Sequence, residues 1–479
     1  MAITSASGPD TAPRKQTLST NYLDLASTAN EGWAQQYLPD LMEKEAEIYG
    51  NRTISGFLSQ VGAEESSQSD QVVWSEQGRL HLAYTATNET ADDANVFTIV
   101  NDVDGNTVGA AHGIRVGDQV LVGGKTQNKQ FNGYVSAVSD AAVTILSYTT
   151  QFFAFAADAG AGNYQILVYG SEFGKGKEGR SVANAPQFKS LNNKHIILKD
   201  FYEVSGSDTS AIGWVEVTGE EGQSGYLWYL KAEGDTRARF ADYLEMSMME
   251  SVKGVEGNST ADGSINGAAK GFGTEGLFSA ITSRGHVTDG LDSGTPATNF
   301  AEFDAMLATF DKNGAIEENM MFLNRPTALK IDDMLGSINS AYAAGSSFGV
   351  FSNSEDMALN LGFSGFRRGS YDFYKSDWKY LNDQGTRGFI NDSNTGAIRG
   401  VVIPAGVSSV YDEQLGKNLT RPFLHVRYRS SETDDRKMKT WVTGSVGAQT
   451  SGKDVMEVHY LSERCLVTQG ANNFMLIKG

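Results

Sequence analysis

The glycine motif Gly271-x-Gly273-x-x-Gly276 has the clearest potential for chemistry in this chain, because the same spacing occurs where a backbone loop holds a dinucleotide. Such a site requires a buried strand before the glycines and an acidic residue about 20 positions later. Residues 266–270 read Asn-Gly-Ala-Ala-Lys, which does not fit a strand, and Asp289 falls in a predicted loop. The motif therefore predicts a flexible loop leading into a helix and no dinucleotide site.

Two further motifs carry weaker chemical signals. The segment Gly174-Lys-Gly-Lys-Glu-Gly179 lacks the Lys-Ser/Thr ending of a phosphate-binding P-loop, so a charged flexible segment is expected. The segment Asp102-Val-Asp-Gly-Asn106 begins like a calcium-binding loop, but Gly113 occupies the position where such a loop needs a glutamate. We expect a turn there.

Residues for nucleophilic or metal chemistry do not form a recognisable pattern. No Gly-x-Ser-x-Gly is present, and the six histidines are scattered without metal-ligand spacing. Cys465 is the only cysteine, which excludes an intramolecular disulfide and a multi-cysteine metal site within one chain. We therefore predict no catalytic, cofactor-binding or metal-binding residues, no cofactor and no enzymatic activity.

The composition is that of a folded, acidic protein. With 479 residues, the chain is long enough for two to four compact units. The net charge of −19 disfavours phosphate binding through the overall field, and indicates either simple solubility or a surface that must not adhere to nucleic acid. No apolar run reaches the length of a membrane span or a signal peptide, so folding in a reducing cytoplasm is expected.

The elements that would position functional residues include one long amphipathic helix, predicted over residues 226–252. Phe240, Leu244 and Met248 lie four residues apart and therefore on one face. Asp235 and Arg239 are spaced for an ion pair along that helix.

The part of the chain before this helix contains strand patterns. Residues 1–20 read as an extended polar arm, and residues 21–49 as helical in two pieces. Residues 70–84 resemble two short strands joined by a turn at Gln77-Gly78. Several short strands over residues 92–170, with Ser139-Asp140 as a turn, indicate a small barrel or sandwich inserted into the chain.

The part after the helix mixes helices and strands. Two helical patterns, 297–310 with Asn299 as N-cap and about 328–342, flank an apolar strand at 320–323. Residues 371–380 and 401–403 also read as strands. The tail from Arg421 to Lys478 alternates in four separate runs, which predicts antiparallel sheet that pairs with an earlier part of the chain.

This order of elements resembles the major capsid proteins of tailed bacteriophages, with the Hong Kong 97-type fold, and the crAss-like phages are a possible subgroup. Two local features add to the resemblance: the glycine-rich loop after the long helix ends in Gly276-Leu-Phe278, and Met320-Met-Phe-Leu-Asn-Arg-Pro326 combines an apolar strand with a turn. The resemblance covers most of the chain apart from residues 92–170.

The resemblance implies an α+β fold with a long spine helix, an N-terminal arm, an extended loop, peripheral and axial domains, and an inserted small all-β domain. The implied ranges are 1–64 for the N-terminal arm and helices, 65–91 and 171–192 for the limbs of the extended loop, 92–170 for the inserted barrel-like domain, 193–295 and 421–479 for the peripheral domain with spine helix 226–252, and 296–420 for the axial domain.

The function implied is that of a structural subunit which self-assembles into an icosahedral capsid and encloses double-stranded DNA without sequence-specific binding. The implied partners are copies of the chain in hexamers and pentamers, with separate scaffolding, portal and decoration proteins and no membrane. The implied location is the virion, after assembly in the bacterial cytoplasm. Two alternatives stay open: an encapsulin-type compartment shell, which shares the fold, and a secreted, β-rich glycan-binding protein.

Overall fold

A computed structural model describes the chain over these residues: 56–58, 63–88, 95–124, 130–149, 164–180, 183–184, 188–207, 227–254, 273–314, 316–342, 365–392, 396–405, 407–412, 417–445 and 450–479. The fold is mixed α+β and rich in sheet. The chain divides into two compact units, one formed by residues 1–73 and 192–479 and the other by residues 74–191. Strands β1 to β21 and helices α1 to α6 are numbered below in chain order.

A five-stranded sheet in the first unit joins distant parts of the sequence. Its strands are β1 (Ala63–Ser67), β10 (Ile196–Ser205), β18 (Leu424–Arg429), β19 (Lys439–Gly444) and β20 (Val455–Thr468). The order is β1-β18-β20-β10, with β19 also paired to β20. Strand β1 runs parallel to β18, whereas the other pairs are antiparallel. The predicted pairing of the tail with an earlier part of the chain is confirmed.

Two separate alternating runs predicted two strands in the tail, but the structure has the single strand β20 there. It is one strand of 14 residues, and every residue from Tyr460 to Thr468 is buried. The sequence pattern breaks at Ser462, Glu463 and Arg464 because these polar residues are buried with partners: Ser462 Oγ donates to the carbonyl of Lys437 at 2.6 Å. Alternation fails as a signal where both faces of a strand are covered.

Helix α1 (Leu227–Glu250) lies against this sheet, and the prediction of a long helix is confirmed. Phe240 and Leu244 pack with Val458 and Tyr460 of β20. Arg239, predicted to pair within the helix, contacts Asp200 of β10 at 3.5 Å. The helix is thus held to the sheet by apolar packing and by a charged contact.

A six-stranded sheet forms the second layer of the first unit. Its strands are β11 (His286–Thr288), β12 (Glu318–Leu323), β13 (Gly365–Arg368), β14 (Tyr371–Asp377), β15 (Ile398–Pro404) and β21 (Met475–Lys478). They follow the order β11-β21-β15-β12-β14-β13. Strands β11 and β21 come from ranges assigned above to the peripheral domain, yet they share this sheet with strands from the range assigned to the axial domain.

Helices pack on the second sheet and beside it. They are α2 (Leu277–Arg284), α3 (Pro296–Asn313), α4 (Arg325–Tyr342), α5 (Lys379–Asn382) and α6 (Arg387–Asn391). Phe303 and Phe310 of α3 and Ile331 of α4 are buried in a core with Met321 and Phe373 of the sheet. None of the described helices combines the length and the apolar composition needed to cross a lipid bilayer.

The starts of α3 and α4 correct two predictions. Helix α3 begins after Thr295 with Pro296 in its first turn, a position that suits proline. Asn299 is not the N-cap: it is buried and exchanges two hydrogen bonds with the backbone of Ser293. Helix α4 begins at Arg325, earlier than predicted, because the side chain of Asn324 accepts a hydrogen bond from the backbone N–H of Thr327 at 3.1 Å. The strand predicted to reach residue 380 ends at Asp377.

The second unit contains a closed six-stranded barrel. Its strands are β3 (Ala83–Thr87), β4 (Val96–Asp102), β5 (Asp118–Gly124), β6 (Gln130–Ser139), β7 (Ala142–Ser147) and β8 (Tyr164–Ser171), in the order β3-β4-β7-β6-β5-β8. A short 3-10 helix, Gly109–Ala111, precedes β5. Inward residues such as Phe97, Val122 and Ile145 form the core. The turn predicted at Ser139-Asp140 is confirmed, with Asp140 at a φ of 49°.

Two pairs of strands stand apart from the main sheets. Strand β2 (Gln71–Gln77) pairs with β9 (Phe188–Lys194), and β16 (Val407–Asp412) pairs with β17 (Lys417–Pro422). The two short strands predicted over residues 70–84 are present as β2 and the start of β3, but they do not pair with each other. Strand β3 belongs to the barrel, where Tyr84 and Ala86 are buried, so β2 and β3 have different partners.

Some predictions fall outside the described residues. These are the arm 1–20, the helices over 21–49 and residues 262–272 of the glycine-rich loop.

Candidate functional site

The described part of the glycine motif packs tightly against the chain at the end of α1. Gly271 lies outside the described residues. Gly273 has a φ of +87°, and a β-carbon there would lie 2.2 Å from the carbonyl oxygen of Val252. A β-carbon on Gly276 would lie 2.8 Å from the carbonyl oxygens of Met249 and Ser251. These two glycines permit close approach of two backbone segments, a structural role that the flexible-loop prediction did not include.

The calcium-like segment is a turn. The backbone N–H and side-chain amide of Asn106 donate to the carboxylate of Asp102 at 2.8 Å and 3.0 Å. The backbone N–H of Asp102 donates to the carbonyl of Asn106 at 2.9 Å. Among the described residues, no group of three or more histidine, cysteine, aspartate or glutamate side chains is arranged to hold a metal ion.

The single thiol and the buried histidines are enclosed by the fold. Cys465 lies on β20, and burial raises the pKa of its thiol to about 12. His112 lies within the barrel unit, where one ring nitrogen is 2.8 Å from the carbonyl oxygen of Asp140. Burial lowers the pKa of His112, so its imidazole is favoured in the neutral form.

Residues 56–58, called the N-terminal anchor below, are bound to α1 near its C-terminal end, at Glu245. Glu245 of α1 accepts hydrogen bonds from the backbone N–H groups of Gly56 at 2.6 Å and Leu58 at 3.4 Å. Its second oxygen, Oε2, is buried without a hydrogen-bond partner among the described residues. Burial raises the pKa of Glu245, although the backbone hydrogen bonds oppose that shift.

The N-terminal anchor also packs against a cluster of aromatic rings. The ring of Phe57 stacks on Trp378 at a centroid distance of 4.4 Å and meets Phe322 edge-on at 4.6 Å. Trp378 in turn packs against Tyr380 at 5.3 Å. All four rings are buried, so the anchor is held by apolar contact as well as by hydrogen bonds.

The end of α1 is bonded to the short helices. Glu250, the last residue of α1, accepts a hydrogen bond from the hydroxyl of Tyr380 at 2.5 Å. It also pairs with the guanidinium of Arg387 on α6. Burial, and then the hydrogen bond to Glu250, raise the pKa of Tyr380 well above its usual range. Helix α1 thus contacts the N-terminal anchor at Glu245 and the second layer at Glu250, five residues later.

Ion pairs attach strand β1 to the C-terminal strands. Arg427 of β18 contacts Glu65 at 2.7 Å, and Lys437 contacts Glu64. Beside them, the buried carboxylate of Glu463 receives Arg429 at 3.2 Å and Arg436 at 2.6 Å. The charges in this cluster compensate one another, so it serves attachment rather than ligand binding.

The face of the five-stranded sheet opposite α1 carries exposed apolar and aromatic side chains. Alternate residues of a strand point to opposite faces, so Phe201 and His459 lie away from the helix. The ring of His459 stacks on Trp441 at 5.2 Å and lies 6.0 Å from Phe201. Ile197, on the same face of β10, is exposed as well. This arrangement can contact another protein surface but offers no reactive group.

The residues that connect the layers were not found by sequence reasoning. A glutamate inside an amphipathic helix and a phenylalanine after an arm have no local signal for contact with each other. Only the pairing of Glu245 with Gly56, 189 positions apart, reveals their role.

Comparison with known proteins gave structural similarity only. No family model and no curated protein match the chain. A structure from Mycobacterium phage Ogopogo aligns at 9% identity over 93% of this chain and 98% of its own, with a TM-score of 0.41. The capsid of a native GTA particle aligns at 9% identity over 95% of this chain and 99% of its own, with a TM-score of 0.39. The capsid of cyanophage P-SCSP1u aligns at 9% identity over 96% and 98%, with a TM-score of 0.39. TM-scores below 0.5 do not by themselves establish a common fold.

Proposed function

We propose that this chain is the structural subunit of the icosahedral capsid of a tailed, double-stranded DNA bacteriophage. The observation that supports the proposal is the arrangement of the five-stranded sheet and the N-terminal anchor around α1, called the frame below. This helix lies on a sheet built from residues 63–67, 196–205 and 424–468, and Glu245 near its C-terminal end binds the N-terminal anchor. Along the chain, the N-terminal anchor is followed by the segment that contains the barrel, by the long helix α1, by the second α/β layer and by the returning strands. This is the order expected of a Hong Kong 97-type subunit.

The frame suits a shell subunit for a physical reason. Strands from both sides of α1 in the sequence complete one sheet, so the helix and sheet form a continuous core. A subunit of this kind can present segments outside the core to its neighbours without losing its own fold. We assign to those contacts the arm within 1–64 and the parts of the limbs 65–91 and 171–192 that lie outside β1 and the barrel strands.

The charge of the chain supports the enclosure of DNA without attachment to it. A subunit with a net charge of −19 repels a phosphate backbone at long range, and binding to DNA would require clustered lysine and arginine. Two arginines of the five-stranded sheet, Arg427 and Arg429, are paired with carboxylates. We therefore propose that packaged DNA is confined by the shell rather than bound in a sequence-specific manner.

The proposed assembly follows from the same role. Copies of the chain form hexamers and pentamers, and scaffolding, portal and decoration functions belong to separate proteins. The particle assembles in the cytoplasm of the bacterial host and the chain becomes part of the virion. The remaining domain assignments, peripheral for 193–295 with 421–479 and axial for 296–420, are part of this proposal.

Production of the full chain in bacteria, alone and together with its scaffolding protein, tests the proposal. Sedimentation and electron microscopy are expected to show closed shells with hexameric and pentameric units. A chain that stays a small monomer in both preparations contradicts the proposal.

The contents of particles separate a capsid from an encapsulin-type compartment. Particles purified from phage-producing cells are expected to protect double-stranded DNA from nuclease. Shells that instead enclose a folded enzyme, with no protected DNA, would identify the compartment. Binding of the full chain to a glycan array without shell formation would identify the β-rich glycan-binding alternative.

A further inference from the structure

The N-terminal anchor binds a buried carboxyl group of α1 in an asymmetric way. The side chain of Glu245 is buried, and the backbone N–H groups of Gly56 and Leu58 both donate to the same oxygen, Oε1. The other oxygen, Oε2, is buried and has no hydrogen-bond partner among the described residues. This pattern suits a neutral carboxylic acid, whose carbonyl oxygen accepts both bonds while the second oxygen carries the proton.

The described residues provide no direct counter-charge for Glu245. No described lysine, arginine or histidine forms an ion pair with it. Arg464 of β20 acts on Glu245 electrostatically. Its guanidinium, however, donates to the hydroxyl of Ser462 and to the carbonyl of Lys437, each at 2.9 Å. Asp242, on the preceding turn of α1, adds a like charge. Ionisation of a buried carboxyl group is unfavourable in such surroundings.

Two carboxylates of neighbouring elements have partners of their own. Glu64 of β1 pairs with Lys437. Glu250, at the end of α1, pairs with Arg387 of α6 and accepts the hydroxyl of Tyr380. These contacts are formed without Glu245, so the charge on Glu245 is governed mainly by burial and by the N–H groups of the anchor.

The aromatic side of the anchor site also contains an unsatisfied polar group. Phe57 stacks on Trp378 at 4.4 Å, and the indole N–H of Trp378 is buried without a hydrogen-bond partner among the described residues. Buried polar groups without partners oppose the stability that apolar packing provides. The balance between the attached and the detached anchor is therefore sensitive to a change of charge at Glu245.

Attachment of the anchor is linked to the binding of a proton. Burial raises the pKa of Glu245, and the backbone hydrogen bonds from the anchor oppose that shift. Detachment lets water reach the carboxyl group, so its pKa returns towards the ordinary value of about 4.3. The attached state thus binds the proton more tightly. Attachment is strongest at low pH and weakens as pH rises through the raised value.

We propose that Glu245 and the N-terminal anchor form a proton-linked clasp, which holds residues 56–58 on α1 while the carboxyl group is neutral and loosens them when it ionises. Loosening releases Phe57 and Leu58 from the core. Strand β1 stays in place because its pairing with β18 does not involve Glu245. The clasp acts within one chain and does not depend on the proposed shell function.

Hydrogen exchange of the full chain tests the clasp, because Glu245 holds the backbone N–H groups of Gly56 and Leu58. Protection factors, which correct for the intrinsic exchange rate at each pH, are compared with that of Val458. This residue lies in β20 between β10 and β19 and serves as the internal reference. From acidic to neutral pH, the ratio of Leu58 to Val458 protection is expected to fall, by at most about tenfold per pH unit for one linked proton.

Two variants assign the effect to Glu245. Glu245→Gln keeps an acceptor for the anchor and does not titrate, so its protection ratio is expected to stay within about twofold over the same pH range. Glu432→Gln, an exposed position, is expected to retain the pH dependence of the natural chain. If Glu245→Gln does not fold, the ratio measured in the natural chain still decides.

Three results overturn the clasp. They are a ratio that does not change with pH in the natural chain, a ratio that rises with pH, and a fall that persists in Glu245→Gln. Electron microscopy of the same samples keeps the two proposals apart. Shells that form with an unchanged ratio overturn the clasp and leave the shell function standing, whereas a falling ratio in a chain that never assembles supports the clasp alone.

Discussion

The carboxylate of Glu245, near the C-terminal end of α1, accepts a hydrogen bond of 2.6 Å from the backbone N–H of Gly56. The two residues are 189 positions apart, and the barrel unit lies between them in the sequence. This bond, with the stacking of Phe57 on Trp378, determines where the N-terminal part of the chain meets the core.

The stability contributed at Glu245 is expected to depend on pH. Burial raises the pKa of Glu245 above its usual range, so in the folded state the group binds a proton more tightly than in the unfolded chain. Stability therefore falls as pH rises from about 4.3, the unfolded value, through the raised folded value. The thermal midpoint of the natural chain minus that of Glu245→Gln, which does not titrate, is expected to decrease over this range.

Glu432→Gln is the control for that measurement, because the side chain of Glu432 is exposed and has no described contact with α1 or the N-terminal anchor. A difference between the natural chain and Glu245→Gln that stays constant from acidic to neutral pH would show that burial does not govern Glu245. Glu245→Ala, which leaves the N–H groups of the anchor without their acceptor, is expected to cost about 1–3 kcal/mol.

Substitution of the closely packed Gly273 after α1 is expected to lower the free energy of unfolding more than substitution of a glycine with open space around it. Gly273→Ala places a β-carbon at 2.2 Å from a backbone oxygen in a left-handed conformation, so a loss of about 1–3 kcal/mol is expected. Gly294→Ala is the matched control: it has open space around it and no left-handed φ, and its effect should stay within about 0.5 kcal/mol. Urea unfolding of both variants decides, and equal stability would refute close packing at Gly273.

Two ion pairs of the barrel unit are expected to have unequal effects. Asp118 is fully buried, accepts the backbone N–H of Arg115 at 2.9 Å and pairs with Arg180. Asp104 pairs with Arg79 at 3.0 Å in an exposed position. Asp118→Ala is expected to lose about 1–3 kcal/mol, whereas Asp104→Ala should lose less than about 1 kcal/mol.

Hydrogen exchange of strand β5 measures this difference within the full chain. Faster exchange in β5 after Asp118→Ala, with unchanged exchange after Asp104→Ala, is the expected result. The reverse order would mean that burial does not decide the strength of these pairs.

The thiol of Cys465 is expected to be unreactive in the folded chain. It is enclosed in β20, and burial raises its pKa to about 12, so almost no thiolate is present at neutral pH. Ellman's reagent is expected to label no thiol before denaturation and one thiol per chain afterwards. Stoichiometric labelling of the folded chain would contradict the buried position of Cys465.

Local patterns in the sequence were sufficient for the elements whose character depends on their own residues. The four-residue spacing of Phe240, Leu244 and Met248 predicted α1, because apolar residues at this spacing lie on one face of a helix. Short alternating runs predicted strands β5, β6, β7 and β8 for the same reason. Where polar residues were buried, as at Glu463 and Arg464 in β20, the pattern broke and one strand was read as two.

The sequence by itself thus determined the kinds of elements, the acidic charge and the scarcity of reactive groups. Only the tertiary structure decided which elements are partners. Strand β2 pairs with β9 rather than with neighbouring β3, and β1 pairs with β18 more than 350 residues later. Glu245 became an acceptor for Gly56 only when the chain folded. The physical reason is that strand pairing and buried hydrogen bonds depend on groups far apart in the sequence, whose meeting no local pattern encodes.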